Sequence, residues 1–435
     1  MPQPADPASR FEGTTAKFWA FTAGFILLGY LCMGRSFAYL GIKPLNLFIG
    51  EMVLGLFLVT KSREIVGRWL GSMVNEVSFS QTAWIYYLFA SYGVIELLRG
   101  LTYDYPVFTA LQNLVFNVYP LYLFIGLWLG IRYPNYLQRF VRWLAWGHGV
   151  YGVLYIAVLN PLSWNEAVMA GEDVPLFGQP GGSPIAILGL LCFESKFQRM
   201  AIPLLLNAFV LLGIQVRAEW LGFGLGFLIW GLLSRKVGGM LAGAGAIAVL
   251  LAVGYVADFS IPGPAGRGGT ISTRDIIGRG LSAFDAESAS KYTDSADSTA
   301  GTVEWRKKWW EAIWNSVHET NLRTLFGHGY GFPITDLVTY LSSEDTLRSP
   351  HNIFFFCLGY GGWIGVILFF TFQLALLRLH WLTYQVTKIP FGIVFLPTCI
   401  AVAFFSNFFE TPFGAIPYYL ITGLAISPLL ATQQR

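Results

Sequence analysis

The sequence predicts an all-α polytopic integral membrane protein, with about twelve transmembrane helices and one large extracytoplasmic loop that contains short helices. Three observations lead there. Of 435 residues, 54% are hydrophobic and only 12% charged, with mean hydropathy +0.54, whereas soluble domains carry about 25% charged residues. Apolar runs approaching the roughly 20 residues that cross a bilayer recur along the chain. Cations concentrate in alternate turns between those runs.

The apolar runs place spans at approximately 18–34, 44–60, 81–98, 107–130, 138–159, 183–194, 200–216, 219–234, 238–257, 352–377, 389–408 and 412–430. The sixth is short, and the seventh and eighth are nearly continuous. With the N-terminus inside, the cytoplasmic turns hold Lys61, Arg63 and Arg68; Arg132, Arg139 and Arg142; Lys196 and Arg199; Arg235 and Lys236; Arg378 and Lys388; and Arg435. The opposite turns hold fewer cations, namely Arg35, Lys43, Arg99 and Arg217. This positive-inside bias puts both termini in the cytoplasm. Met1 to Gly13 lacks the layout of a cleavable signal peptide, so the first apolar helix reads as an anchor. The resulting organisation is one integrated domain: N-terminal spans over 1–257, an extracytoplasmic loop over 258–350 and C-terminal spans over 351–435.

Within the loop, Pro262 to Thr299 is rich in Gly, Ser, Ala and Asp, which predicts irregular backbone. Trp305, Trp309, Ile313 and Val317 recur every four residues, which predicts a helix over Val303–Val317. Glu304 and Lys308 can pair on its other face. Its four tryptophans predict that it lies at the headgroup level, where indoles are favoured. A second short helix is expected over Pro333–Leu341. The four cysteines fall in apolar runs and read as small buried hydrophobes, so neither a disulfide framework nor a thiolate metal site is expected.

In so apolar a chain the remaining polar groups can be weighed singly. His351 stands in Arg348-Ser349-Pro350-His351-Asn352, where the loop ends and an apolar helix begins. An imidazole there suits proton transfer near neutral pH, although a histidine at a helix start can simply solvate or cap. His318 and His328 compete for that role. His328 lies in Gly327-His328-Gly329-Tyr330-Gly331, which lacks the strand and helix of a nucleotide fingerprint; its glycines fit a tight bend or close backbone approach.

Arg217 opens a span, and a guanidinium at a helix centre costs about 2.5–3.5 kcal/mol unless paired or hydrated. It reads either as snorkelling or paired with Glu219, or as an anion clamp that grips phosphate oxygens bidentately. Arg306 offers the same choice between a solvated charge and a phosphate ligand. Arg267, Arg274, Arg279 and Arg348 are weaker candidates that give the loop an arginine-rich character. Glu410, after the eleventh span, could orient an imidazole or sit in water beside the helix end.

Several chemistries lose support. The net charge of +3 is too small to point to nucleic acid. The chain lacks Asp-x-Asp, His-Glu-x-x-His and Gly-x-Ser-x-Gly, as well as a phosphate-loop lysine. This disfavours metal-dependent sugar-nucleotide transfer, serine hydrolysis and ATP-driven transport. No cofactor and no metal are expected.

Three segments together resemble the bacterial O-antigen ligases and the related O-antigen and exopolysaccharide polymerases. They are Arg217-Ala218-Glu219-Trp220-Leu221-Gly222; Arg306 to Trp310 followed by Leu325 to Gly331; and Pro350-His351-Asn352-Ile353-Phe354 running into Leu358 to Gly365. Order and spacing fit over roughly Pro203 to Leu430, and the earlier spans fit by topology. Glu219 departs from the pattern, since a small or apolar residue is commoner there.

The resemblance implies a metal-independent, inverting glycosyltransferase of the bacterial inner membrane with its main loop in the periplasm. Its donor would be a glycan on undecaprenyl diphosphate, and its acceptor lipid A core or another glycan. His351 matches the family's essential histidine, Arg217 the arginine at the span mouth and Arg306 the loop arginine; Glu410 falls near an acidic position. Arg348, His328, Asn352, Arg274 and Arg279 are secondary candidates. O-antigen ligation to lipid A core is the leading expectation and polymerisation the alternative. A polysaccharide flippase or transporter is the rival of another class, but it would place ionisable residues at mid-bilayer, and only Glu51 and Glu96 come near. A peptidoglycan-type polymerase would instead use an acidic loop residue.

Overall fold

The computed structural model describes residues 7–42, 47–64, 77–160, 162, 174–263, 270–281, 291–292, 296–338 and 349–433. Its architecture is helical throughout, apart from two small antiparallel hairpins, Gly41–Ile42 with Leu47–Phe48 and Ser260–Pro262 with Thr270–Ser272.

Among the described helices, four segments are long and apolar enough to cross a bilayer by length and composition: Thr15–Ala38, Val107–Arg132, Ile353–Thr387 and Pro412–Leu430. Ser183–Phe193, Phe197–Gly213 and Phe391–Ala403 are shorter apolar helices. We label the elements that position the site: α1 (Pro7–Ala38), α2 (Ile49–Glu64), α3 (Val77–Thr102), α4 (Val107–Val118), α5 (Tyr122–Arg132), α6 (Tyr136–Leu154), α7 (Ser183–Phe193), α8 (Phe197–Gly213), α9 (Arg217–Leu233), α10 (Val237–Val256), α11 (Thr273–Leu281), α12 (Ala296–Val317), α13 (Asn321–Phe326), α14 (Ile353–Thr387), α15 (Phe391–Ala403) and α16 (Pro412–Gln433). Together these features define an all-α membrane protein. The expected spans fall on helices, with shifted ends: 352–377 extends to Thr387, whereas 389–408 stops at Ala403.

Helix α16 lies at the centre, packed most closely on α5. Glycines permit that approach: a Cβ at Gly126 would meet the Leu420 carbonyl oxygen at 2.1 Å, and one at Gly423 the Leu123 carbonyl oxygen at 2.2 Å. Small residues at the interface let helix backbones come together where lipid supplies no hydrophobic drive. Tyr418 and Tyr419 are fully buried and in ring contact, with Phe395 and Phe409 against them.

The glycine turn after α13 docks into a kink of α14. Gly327, Gly329 and Gly331 all have positive φ, as does Gly362 within α14. A Cβ on Gly327 would lie 2.6 Å from the Gly362 nitrogen, so backbone meets backbone here. The His328 and Gly329 N–H groups donate to the Gly359 and Tyr360 carbonyls, both at 2.9 Å. Arg99 donates to the Phe326 carbonyl at 2.7 Å while paired with buried Glu96 at 2.5 Å.

Two loop expectations are corrected. The described parts of 262–299 include a hairpin and α11 rather than wholly irregular backbone. A reciprocal cap explains this: the Asp275 N–H donates to Ser272 Oγ (3.0 Å), and that hydroxyl donates back to the Asp275 carboxylate (2.6 Å). The tryptophan-rich helix α12 forms, with Glu304 and Lys308 paired at 2.7 Å, but its apolar stripe faces protein. Trp309, Ile313 and Val317 are 0% exposed in the packing of α12 against α14. Trp309 donates to the Ile334 carbonyl at 2.9 Å, and Trp310 stacks on Phe355 at 5.4 Å. Only Trp314 of this group is well exposed. The expected short helix after Pro333 is a single 3₁₀ turn, Ile334–Leu337, and residues 339–341 lie outside the described part.

Candidate active site

His351 sits at the junction of loop and helix with φ +53, in the left-handed region that disfavours side chains with a Cβ. Such strain persists only where surrounding contacts over-determine it. Asn352 supplies one contact. It is buried, and its side-chain oxygen caps α14 by accepting from the Phe354 and Phe355 N–H groups at 2.9 and 3.3 Å. Ser349 supplies another, its hydroxyl accepting from the His351 N–H at 3.4 Å and donating to a Glu410 carboxylate oxygen at 2.5 Å. The other Glu410 oxygen accepts from the Phe408 N–H at 3.2 Å.

Glu410 is therefore neither in open water nor bonded to the imidazole, as the sequence reading had allowed. It holds Ser349, which holds the His351 backbone. Burial raises its carboxyl to about 7, against the lowering influence of the Ser349 and backbone hydrogen bonds. The His351 ring stands edge-on to Trp305 at 6.2 Å between centroids. Burial, and secondarily the Arg306 guanidinium, lower its pKa to about 4, so the imidazole is neutral at pH 7.

The imidazole opens on a cavity of about 760 Å³. Among the described residues, five cationic side chains line it: Arg35 from the end of α1, Arg217 from the first position of α9, Arg279 from α11, and Arg306 and Lys307 from α12. Among the described residues Glu219 is the one carboxylate in that lining. The first turn of α9 also faces the cavity, adding the positive end of a 17-residue helix. Arg306 is steadied by its hydrogen bond to the Phe405 carbonyl at 3.1 Å and lies over the Trp305 ring. Phe405, Phe408, Phe413 and Trp310 form apolar wall. The arrangement can hold a polyanion beside a neutral imidazole.

The sequence-derived candidates divide accordingly. His351, Arg217, Arg306 and Arg279 converge on the cavity. Arg274 does not: it pairs with Asp258 at 3.4 Å and lies over Tyr255. His328 is buried away from it, with Nε2 hydrogen-bonded to Ser316 at 2.9 Å and its ring stacked on Phe332. His318 is exposed and bonded to the Trp314 carbonyl. Asn352 serves as a helix cap. Arg348 and Arg267 lie outside the described residues.

Sequence reasoning missed Arg35 and Lys307. Arg35 had a usable signal, since the charge count places it on the same membrane side as Arg217. Among the described residues, no group of three or more His, Cys, Asp or Glu side chains is placed to hold a metal.

The helices and this cavity define an integral membrane protein with a cation-lined site. Residues 202–370 match the family model described as O-antigen ligase. The match supports glycan transfer of the ligase or polymerase type by a glycosyltransferase-like enzyme. It includes Arg217, Arg279, Arg306, Lys307 and His351, and leaves Arg35 and Glu410 outside. No curated protein matches the chain.

Proposed function

We propose that the cavity transfers a glycan from undecaprenyl diphosphate to an acceptor hydroxyl, with lipid A core as the acceptor. The observation that carries this reading is the convergence of Arg217, Arg306 and neutral His351 on one cavity. The donor brings its own leaving group, so the protein must add positioning, charge stabilisation and a base.

His351 accepts the acceptor hydroxyl proton as that oxygen attacks the anomeric carbon from the face opposite the diphosphate. The bond from anomeric carbon to diphosphate oxygen breaks with inversion, and its electron pair leaves on the diphosphate. Arg217 and Arg306 stabilise that charge, with Arg35, Arg279 and Lys307 adding to the field. No step requires a metal.

The associated topology is twelve spans in the bacterial inner membrane, with 1–257 and 351–435 as the membrane parts and 258–350 as a periplasmic cap. Polymerisation onto a second lipid-linked repeat uses the same donor grip and base. A transport path is less well supported, because Glu96 is engaged by Arg99 and Glu51 accepts from the Tyr119 hydroxyl.

The test uses purified protein, undecaprenyl-diphosphate-linked glycan, lipid A core and a chelator. Product of inverted anomeric configuration is expected, and His351→Ala should lower the rate at least about 10²-fold while the protein still inserts. Normal transfer by that variant refutes the assignment. Product with a lipid-linked repeat but not with lipid A core selects polymerase over ligase.

A further inference from the structure

Part of the His351 cavity is built by chain outside the matched stretch. Gly34 and Arg35 of α1 line it, and so do Gln179, Pro180 and Gly181, shortly before α7. Gly34 breaks the helix, with φ +47 and ψ −119. Beyond the break the chain folds back, and Phe37 packs on Phe25 and Tyr30 at 5.4 and 5.0 Å between ring centroids. Arg35, the residue after the break, owes its place at the cavity to this kink.

The segment before α7 holds the kink. The Gly181 N–H donates to the Leu31 carbonyl at 3.0 Å, the acceptor that the Arg35 N–H takes in an unbroken helix. The Ser36 hydroxyl donates to the Pro175 carbonyl at 2.6 Å. Gly178 lies so close to α1 that a Cβ there would run into the Met33 carbonyl oxygen.

His148 of α6 fixes this segment in turn. It is fully buried. Its Nε2 accepts from the Gly182 N–H at 2.9 Å, and its Nδ1 stands 2.8 Å from Asn207 Oδ1 on α8. The surrounding bonds assign the ring proton. The Asn207 amide nitrogen donates to the Ala145 and Pro203 carbonyls, both at 2.7 Å. Oδ1 is therefore the acceptor, Nδ1 carries the proton, and Nε2 keeps its lone pair for Gly182. The Tyr151 hydroxyl, also on α6, donates to the Gly178 carbonyl at 2.7 Å.

We propose that His148 is a positioning residue for glycan transfer: through Gly182 and Gly181 it holds the α1 kink that presents Arg35 to the diphosphate. The proposal rests on the donor reading above. Misplacing a binding group by about 1 Å can cost about 10²-fold in rate, so bonds that fix a kink act on the reaction. Phenylalanine at 148 fills the space but leaves the Gly182 N–H and Asn207 Oδ1 unpaired. Glutamine carries an acceptor and a donor on one carbon and can restore both bonds.

The experiment measures kcat/KM for the undecaprenyl-diphosphate-linked glycan with full-length purified protein in detergent. H148F should lose about tenfold, and H148Q should stay within about twofold of the wild type. R35Q should itself lose about tenfold, and adding H148F to R35Q should cost less than about twofold more, because the residue being positioned is already gone. A merely structural role predicts instead that the two losses multiply. Should H148F aggregate in gel filtration, Y151F, which removes one hydroxyl bond to the same segment, takes its place in the cycle with a loss of about threefold. Multiplying losses overturn the proposal, as does an H148Q as impaired as H148F. Wild-type protein that transfers no glycan refutes the donor reading and this proposal with it, whereas multiplying losses in an active protein refute this proposal alone.

Discussion

Replacing Arg306 with glutamine removes one charge and keeps much of the side chain, and it should change two measurements at once. First, the variant loses a charge-assisted grip on the diphosphate. A hydrogen bond to a charged group contributes about 1.5–3 kcal/mol, so kcat/KM should fall by about 10- to 150-fold. Second, His351 loses a cationic neighbour. Its pKa stands at about 4 against an ordinary 6.5, with burial the larger cause and Arg306 the smaller. The smaller part of that lowering therefore belongs to Arg306. A histidine acting as base works only when neutral, so activity falls as pH drops through its pKa. The acid limb of kcat/KM reports the free protein and should lie well below pH 6 in the wild type. In R306Q it should move upward, toward but not reaching 6.5. The assay is glycan transfer from the lipid-linked donor across pH 4–9, with both proteins given the same substrates so that donor ionisation cancels in the comparison. An unmoved or lowered acid limb in R306Q would refute the pairing of Arg306 with a histidine base.

Arg217→Lys should lower kcat/KM about 10- to 100-fold, because an ammonium cannot reproduce the bidentate fork; full activity there favours a snorkelling arginine. Ser349→Ala breaks the link from Glu410 to the His351 backbone, so kcat should fall about tenfold at nearly constant KM, with Ser349→Thr restoring it; equal loss in the threonine variant points to packing rather than the hydroxyl. Trp309→Ala removes a fully buried indole and its bond to Ile334, a loss of about 3–5 kcal/mol that thermal unfolding in detergent should register as a clear fall in Tm. Gly327→Ala should destabilise as well, since its positive φ and a backbone nitrogen 2.6 Å away leave no room for a Cβ.

Several features were legible in the sequence because they depend on near neighbours. Hydrophobic composition and apolar runs specify a helical membrane protein wherever each helix packs. The run Pro350-His351-Asn352 before an apolar stretch marks a helix start, and Asn352 caps that helix. Arg217 likewise takes the first position of its helix.

Other features were decided by packing across distant parts of the chain. The tryptophan stripe of α12 is apolar whether it meets lipid or protein, and its periodicity cannot tell the two apart; the fold buries it on α14. Ser349 and Glu410 are 61 residues apart, and only the approach of α14 and α16 joins them. Arg35 and His351 belong to opposite ends of the chain and meet at one cavity, to which the end of α1, the start of α9 and the turn before α14 all contribute. A cation's chemistry is written in its side chain. Whether it faces water, lipid headgroups or a shared cavity depends on helices whose packing involves the whole chain.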